Sequence, residues 1–472
     1  MLRKTLLASA IAALLAAPAA QAAVTFVNGL AIPGDALDLS GGTNANAGRV
    51  GFFSDLYYDR ARNAWWGVSD RGPGGGTLNY ETRVQRFTLD VDHTTGAISN
   101  FRIAETVKFR TANGDAFNGI APNPPGTLGR AFDPEGLVVN ARTGHFYVSD
   151  EYGPSLYEFD RQGVFVRAFT NPENVIPKVG GSPNFAVAAP DTGRRANRGY
   201  EGLAISPDGT RLYAQLQSAQ MDEGGANGIN ARIVVFDIAT GTSTEQLAYR
   251  MEGTSQGRGT SGILALDADR FLVLERNNRG IGVDSDLASP NKKVFEISLA
   301  GATDVSGVTL TNASTAAGGT VTPVVKLDSD GDATNGLTPF IDLAADTLSA
   351  LGNLVPEKWE GLTIGPRLAD GRWLILAGTD NDYSVTQNGS SVQFDVYFDD
   401  AGNRLQRDLD SPTTLDGIEV GAVPAGYRLV PGVLHAYAAD LPGFVAQVPE
   451  PSTWALMALG LVGLGAAARR RR

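Results

Sequence analysis

"DPEGLVVNARTGHFYVSDEYG", Asp133 to Gly153, has the outline of a β-hairpin with acids at its open end. Two short runs of branched and aromatic residues flank a polar, glycine-containing turn, which is the local grammar of paired antiparallel strands. Glu135 stands at the entrance and Asp150-Glu151 at the exit. The phrase returns as "YEGLAISPDGTRLYAQLQS" and "WEGLTIGPRLADGRWLILAGTDND". In looser spelling it is also "SDLYYDRARNAWWGVSDRG" and "TSGILALDADRFLVLERNN". Aligned on the residue that opens each apolar run, the pairs are Asp55 and Asp70, Glu135 and Asp150, Glu201 and Gln215, Ser261 and Glu275, and Glu360 and Asp380. The separation is 14 or 15 residues in four of them, and the fifth is longer because its turn, "PRLADG", is expanded.

Each unit continues with further strands, such as "SLYEFD" and "VFVRAF" after Glu151, "RIVVFDIATG" after Gln217 and "KKVFEISLAG" after Glu275. Four antiparallel strands per unit, repeated along the chain, predict an all-β fold of the β-propeller type. Five units are legible. "VTFVNGLAI" near the N-terminus and "LHAYAADL" near the C-terminus predict a sixth blade, completed by joining the two ends. A β-sandwich is the alternative class, but sandwiches do not repeat one phrase five times.

The repeat places the acids. The first strand of a blade lines the central channel and the second returns beside it, so the start of one and the end of the other share one mouth. Radial symmetry then brings Glu135, Glu201 and Glu360 toward a common axis. Like charges converging in a narrow mouth repel unless a cation lies between them. Hard carboxylate oxygens suit Ca²⁺, or Mg²⁺ as the lesser fit. These three glutamates are therefore the predicted metal ligands, and Asp150, Glu151 and Asp382 the predicted sources of further ligation or of a general base. Arg71, Arg198, Arg276 and Lys358 flank the same positions and suit an anionic substrate, with Arg194 and Arg195 close by in sequence. The plainer alternatives are that Glu-Gly only caps a turn and that the cations form rim salt bridges.

Both ends read as addresses. Arg3 and Lys4 precede the apolar run Leu6 to Ala17, and Ala20-Gln21-Ala22 fits a cleavage site, so residues 1–22 are a predicted signal peptide. Residues 447–472 contain "VPEP", an apolar stretch from Trp454 to Ala468 and four terminal arginines. This tail resembles a PEP-CTERM sorting signal. The resemblance implies cleavage by an exosortase, a transient inner-membrane tether and release to the cell surface or extracellular matrix. The propeller is then assigned to residues 23–446. With no cysteine, disulfides and thiolate chemistry are excluded. The formal net charge is −12, and the terminal segments remove Arg3, Lys4 and Arg469 to Arg472 against the single acid Glu450. So acidic a body is a poor partner for nucleic acid.

"DPEGLVV…FYVSDEYGPSLYEFD", "RGYEGLAISPDGTRLYAQLQS", "RFLVLERNN" and "EKWEGLTIGP…LILAGTDNDYS" together resemble the phytase-like domain of exported bacterial proteins, described as an esterase-like activity of the phytase family. The resemblance implies a β-propeller and phosphoester hydrolysis. The leading expectation is an exported, Ca²⁺-dependent hydrolase of a phosphate ester. Its rivals are a non-catalytic propeller binding extracellular polysaccharide or protein, and a lactonase.

Three other signals are weaker. Gly253-Thr254-Ser255-Gln256-Gly257 matches G-x-S-x-G but lacks the strand-turn-helix setting of a nucleophile elbow. His93, His145 and His435 share no spacing that would make a zinc site. Asp328, Asp330 and Asp332 begin like a calcium loop, but Ala333 and Pro339 stand where an EF-hand needs Gly and Glu.

Overall fold

The computed structural model describes residues 24–42, 46–186, 188–284, 286–329, 337–388, 392–409 and 423–447. The signal segment 1–22, the tail beyond Gln447 and most of the Asp328–Gly336 loop lie outside the described residues.

Five antiparallel sheets follow one another along the chain. Their first strands are Asp55–Asp59, Pro134–Val139, Tyr200–Ile205, Gly259–Ala265 and Lys358–Arg367, here called the inner strands of blades I to V. Each inner strand lies against those of the two adjacent blades, and the cycle closes from blade V back to blade I. "PEGLVV" and "YEGLAI" are buried at every position, as strands covered on both faces should be. Polar side chains therefore survive on them only where they have partners or a purpose.

The two ends of the chain do pair, but they make no sixth blade among the described residues. Val24–Ile32 lies antiparallel to Gly432–Ala439, which lies on Trp373–Asp380, the second strand of blade V. The terminal strands are thus the third and fourth strands of the fifth blade. The "WEGL" unit has no strand of its own after Asp380 to complete its sheet, and the termini fill that vacancy.

The repeated Glu-Gly has a structural cause. Register shifts fall between Pro134 and Leu137, Tyr200 and Gly202, Thr260 and Ile263, and Trp359 and Gly361, so each motif is a β-bulge. The glycine in the bulge touches the next inner strand. A Cβ on Gly202 would lie 2.2 Å from the Ser261 carbonyl oxygen, and one on Gly136 2.6 Å from the Leu203 amide nitrogen. Gly262 meets the Glu360 carbonyl in the same way, at 2.6 Å. Glycine lets the inner strands close around the axis, and the bulge re-aims the residue before it.

Inner strands run away from the mouth, so their turns into the second strands lie at the far end. The long connections gather at the mouth. Among them is a small sheet of Val385–Gln387, Gln393–Phe398, Arg404–Asp408 and Arg428–Leu429, inserted between the second and third strands of blade V.

Candidate functional site

Eight carboxylates gather at the mouth: Asp70, Asp133, Glu135, Glu151, Glu201, Glu360, Asp380 and Asp382. All but Asp382 are buried. Three groups place one oxygen per residue within 4.8 Å of each other: Glu135, Glu151 and Glu201; Asp70, Asp133 and Glu135; and Asp70, Asp380 and Asp382. Opposed oxygens around Ca²⁺ are about 4.6 to 5.2 Å apart, so the spacing fits that ion.

Glu135 and Glu201 meet in the first group, with Glu151 from the second strand of blade II. Glu201 accepts hydrogen bonds from Gln217 Nε2 at 2.5 Å and Ser261 Oγ at 3.1 Å, so Ser261 serves where other blades carry an acid. Glu360 comes to the same mouth but faces cations. Arg276 bonds directly to it and reaches Glu201 at 3.6 Å, while Lys358 lies 3.7 Å away. No hydrogen-bond donor among the described residues serves the Glu135 carboxylate. Glu151 Oε1 and Glu360 Oε2 are likewise buried without a partner.

Alternation along the second strands decides which exit residue enters the mouth. Asp150 turns into its own hairpin. It accepts the Asp133 amide at 2.7 Å, the Gly153 amide at 2.8 Å and Ser155 Oγ at 2.5 Å. Its neighbour Glu151 faces the mouth. In blade IV, Glu275 turns outward to Tyr249, Arg258 and Lys326, and Arg276 points inward. Asp133 and Asp70 carry as much of the cluster as the predicted glutamates do. Asp133 stands two residues before Glu135, on the same side of an extended chain, and that spacing could have found it.

The electrostatics follow from burial. Desolvation, then Glu201, Asp133, Glu151 and Glu360, pushes the Glu135 carboxyl well above its usual range. Glu151 is raised by burial and then by Glu201 and Asp133. Burial lifts Glu360 to about 8 although Lys358 and Arg276 pull it down. Asp380 is likewise lifted to about 8, and Asp70 to about 7. Without a cation this mouth holds protons at neutral pH.

The four predicted anion-binding cations differ. Arg71 is paired with Asp133, Arg276 with Glu360, and Lys358 with Asp380 and, at 2.9 Å, Asp382. Arg198 alone of the four has no carboxylate partner among the described residues. It donates to the Gly257 carbonyl at 3.0 Å and the Arg258 carbonyl at 3.4 Å. Burial, then Arg195 and Arg276, lowers it to about 10. Arg194 is structural, bound to the carbonyls of Tyr152 and Phe185.

An opening of about 300 Å³ leads into the cluster past Asp70, Arg71, the glycine loop Gly72–Gly75 and Asp382. Asp382, Tyr383 and Ser384 have φ of 48°, 57° and 58°, three successive left-handed non-glycine residues. Such backbone persists only when its surroundings hold it. Ser384 Oγ donates to the Val430 carbonyl at 2.6 Å and Tyr383 Oη to the Asp70 carbonyl at 3.2 Å. The strained turn sets Asp382 at the edge of the cluster, its side chain partly open to solvent.

Residues 48–383 match the family described as Phytase-like, esterase-like activity of phytase, and residues 447–472 match the PEP-CTERM protein-sorting motif. An uncharacterized secreted protein of Arthroderma benhamiae is 27% identical over 428 residues, covering 71% of this chain and 81% of its own length. Among solved structures, the luciferin-regenerating enzyme overlaps 84% of this chain and 95% of its own, at 9% identity and a TM-score of 0.32. The Dos1 propeller overlaps 84% of this chain and 69% of its own, at 10% identity and a TM-score of 0.26.

Proposed function

Because this chain belongs to the phytase-like family and carries a PEP-CTERM sorting motif, we propose that it is an exported, Ca²⁺-dependent hydrolase of phosphate esters. The observation that carries the reading is the pairing, at one mouth, of buried carboxylate oxygens without donors and a guanidinium without a carboxylate. The first calls for a hard cation, the second for an anion.

Glu135, Glu151 and Glu201 would hold the ion, with Asp70 and Asp133 beside them. A bound Ca²⁺ would supply polarisation of the phosphoryl oxygens and a more acidic water. The chain's own residues do the rest. Arg198 anchors the ester's anionic oxygens, since Arg71, Arg276 and Lys358 are already committed to carboxylates. Asp382, the carboxylate at the open side, takes the proton of the attacking water as its oxygen bonds to phosphorus, and returns it to the alcohol oxygen as the P–O ester bond breaks. Asp150 holds the turn that positions Glu151 and so acts through it. The glycine loop leaves room for the alcohol portion of the ester. Glu360 stays in the site as the partner of Arg276.

The test is an assay of the mature chain against phosphate monoesters, phosphodiesters, carboxyl esters and lactones, with Ca²⁺ and with chelator. Ca²⁺-dependent release of phosphate is expected. Glu151→Gln should lose it, and Arg198→Ala should raise KM more than it lowers kcat. Turnover of a lactone or carboxyl ester alone would reassign the reaction. No turnover of any of them would leave a binding propeller.

A further inference from the structure

The far end of the channel is closed by the chain itself. Beyond Ala439, the last described residues, Phe444 to Gln447, line the far end of the channel together with inner-strand residues of all five blades. Gln447 Oε1 accepts hydrogen bonds from Tyr57 Oη and the Ala141 amide, both at 3.1 Å. The Val445 amide donates to the Leu266 carbonyl at 2.8 Å, and Arg270 Nη2 donates to the Pro442 carbonyl at 2.6 Å. The Phe444 ring packs edge-on against Trp373, with centroids 4.9 Å apart, beneath the Arg60 guanidinium. These contacts come from blades I, II, IV and V. Above them lies a cavity of about 80 Å³, lined by inner-strand residues of every blade, among them Leu137, Ala204, Ile263 and Thr363.

We propose that Phe444–Gln447 is a strap that fixes where the sorting tail leaves the body, so that the tethered protein presents its acidic mouth away from the membrane. The inference rests on the tail being a membrane tether and stands whether or not the mouth hydrolyses an ester. Six residues, Val448 to Thr453, separate the strap from the apolar stretch that begins at Trp454. Whatever their conformation, they span at most about 20 Å. To bring the mouth to the bilayer, the tether would have to cross the breadth of a blade and then climb its height. Four strands spaced about 4.8 Å apart and an inner strand of about 20 Å make that path about 35 Å or more. With the strap docked, the tether is too short. With the strap released back to Ala439, fourteen residues reach about 48 Å, and either orientation becomes accessible.

The chain has no cysteine, so single labels can be placed at will. Ala226 is exposed in a mouth-side loop, and Ala268 is exposed in a turn at the far end. Full-length chain with its tail intact, carrying Ala226→Cys or Ala268→Cys and a donor dye, is reconstituted into vesicles holding an acceptor at the headgroups. Energy transfer should be strong from position 268 and weak from position 226. In the variant combining Phe444→Ala with Gln447→Ala, the two should converge. Equal or reversed transfer in the parent chain would overturn the orientation, and an unchanged difference in the released variant would remove the strap as its cause. If the chain fails to float with vesicles, the tail is no tether and the inference falls with it. Phosphate-ester turnover, measured on the same samples, reports separately on the mouth.

Discussion

One set of five strands ends in opposite ways. At the mouth the inner strands carry acids whose charge has no full answer within the protein. At the floor the same strands end in apolar and backbone groups that the chain's own C-terminal segment satisfies. The mouth is thus poised for something from outside, whereas the floor is finished. Stability lives in the bulges and, to a smaller degree, at the floor, while the mouth gives some of it up, as sites under functional constraint do.

The largest expected effect separates the two halves of "EGL". Gly202→Ala would set a Cβ 2.2 Å from the Ser261 carbonyl, a backbone atom that cannot swing aside. Inner strands III and IV would have to part, at a cost of about 3 kcal/mol. The urea midpoint should fall accordingly, with or without Ca²⁺. A midpoint equal to that of the parent would mean that the glycine repeats for some reason other than close approach.

The neighbouring glutamates should behave in the opposite sense. Without Ca²⁺, Glu151 can be buried beside like carboxylates only by taking up a proton on folding, a cost at neutral pH that Glu151→Gln removes, so the variant should raise the melting temperature. With Ca²⁺ about a hundredfold above its dissociation constant, the parent gains about 2.7 kcal/mol, and most of that gain should be missing from the variant. The two curves should therefore cross as Ca²⁺ is titrated. A variant less stable than the parent in chelator would show that Glu151 supports the fold rather than strains it.

How much of this was legible in the sequence follows from the same contrast. The repeat disclosed the propeller and the convergence of Glu135, Glu201 and Glu360, because each needs only strand polarity and symmetry. The blade number was not legible, since a strand such as "VTFVNGLAI" does not announce which edge it will pair with. Nor was the choice between Asp150 and Glu151, or between Glu275 and Arg276. Adjacent residues on a strand face opposite ways, and a bulge resets the phase. The floor left no signal, because "LPGFVAQ" is irregular and its partners, Tyr57, Arg60, Ala141, Leu266, Arg270 and Trp373, are scattered over four blades.

A buried histidine gives a third kind of site to set beside mouth and floor. His435 lies on the third strand of blade V, fully buried among Phe26, Trp359 and Tyr437, with Nε2 unpartnered. Burial lowers its pKa from 6.5 to about 3. Below about pH 6.5 the unfolded chain takes up the proton and the folded chain does not. The stability of the neutral form is thus complete above that pH and is lost as pH falls toward 3, by about 1.4 kcal/mol per unit. At pH 5 this amounts to about 2 kcal/mol. His435→Gln should flatten that part of the stability curve, measured as the difference from the parent between pH 7 and pH 5. An identical slope would mean that the imidazole is protonated inside the fold.

The smallest effects belong to the floor, where they locate the end of the body. Gln447→Ala removes one acceptor and leaves the Tyr57 hydroxyl and the Ala141 amide without it, for a loss of about 1 to 2 kcal/mol. Stopping the chain after Gln447 deletes none of the contacts that close the channel, so the melting temperature should stay within about a degree of the full-length value. Stopping it after Gly443 deletes Phe444 from beneath Trp373 and both hydrogen bonds of Gln447, and should cost more than Gln447→Ala alone. Equal stability of the two truncations would show that the strap rests on the floor without supporting it.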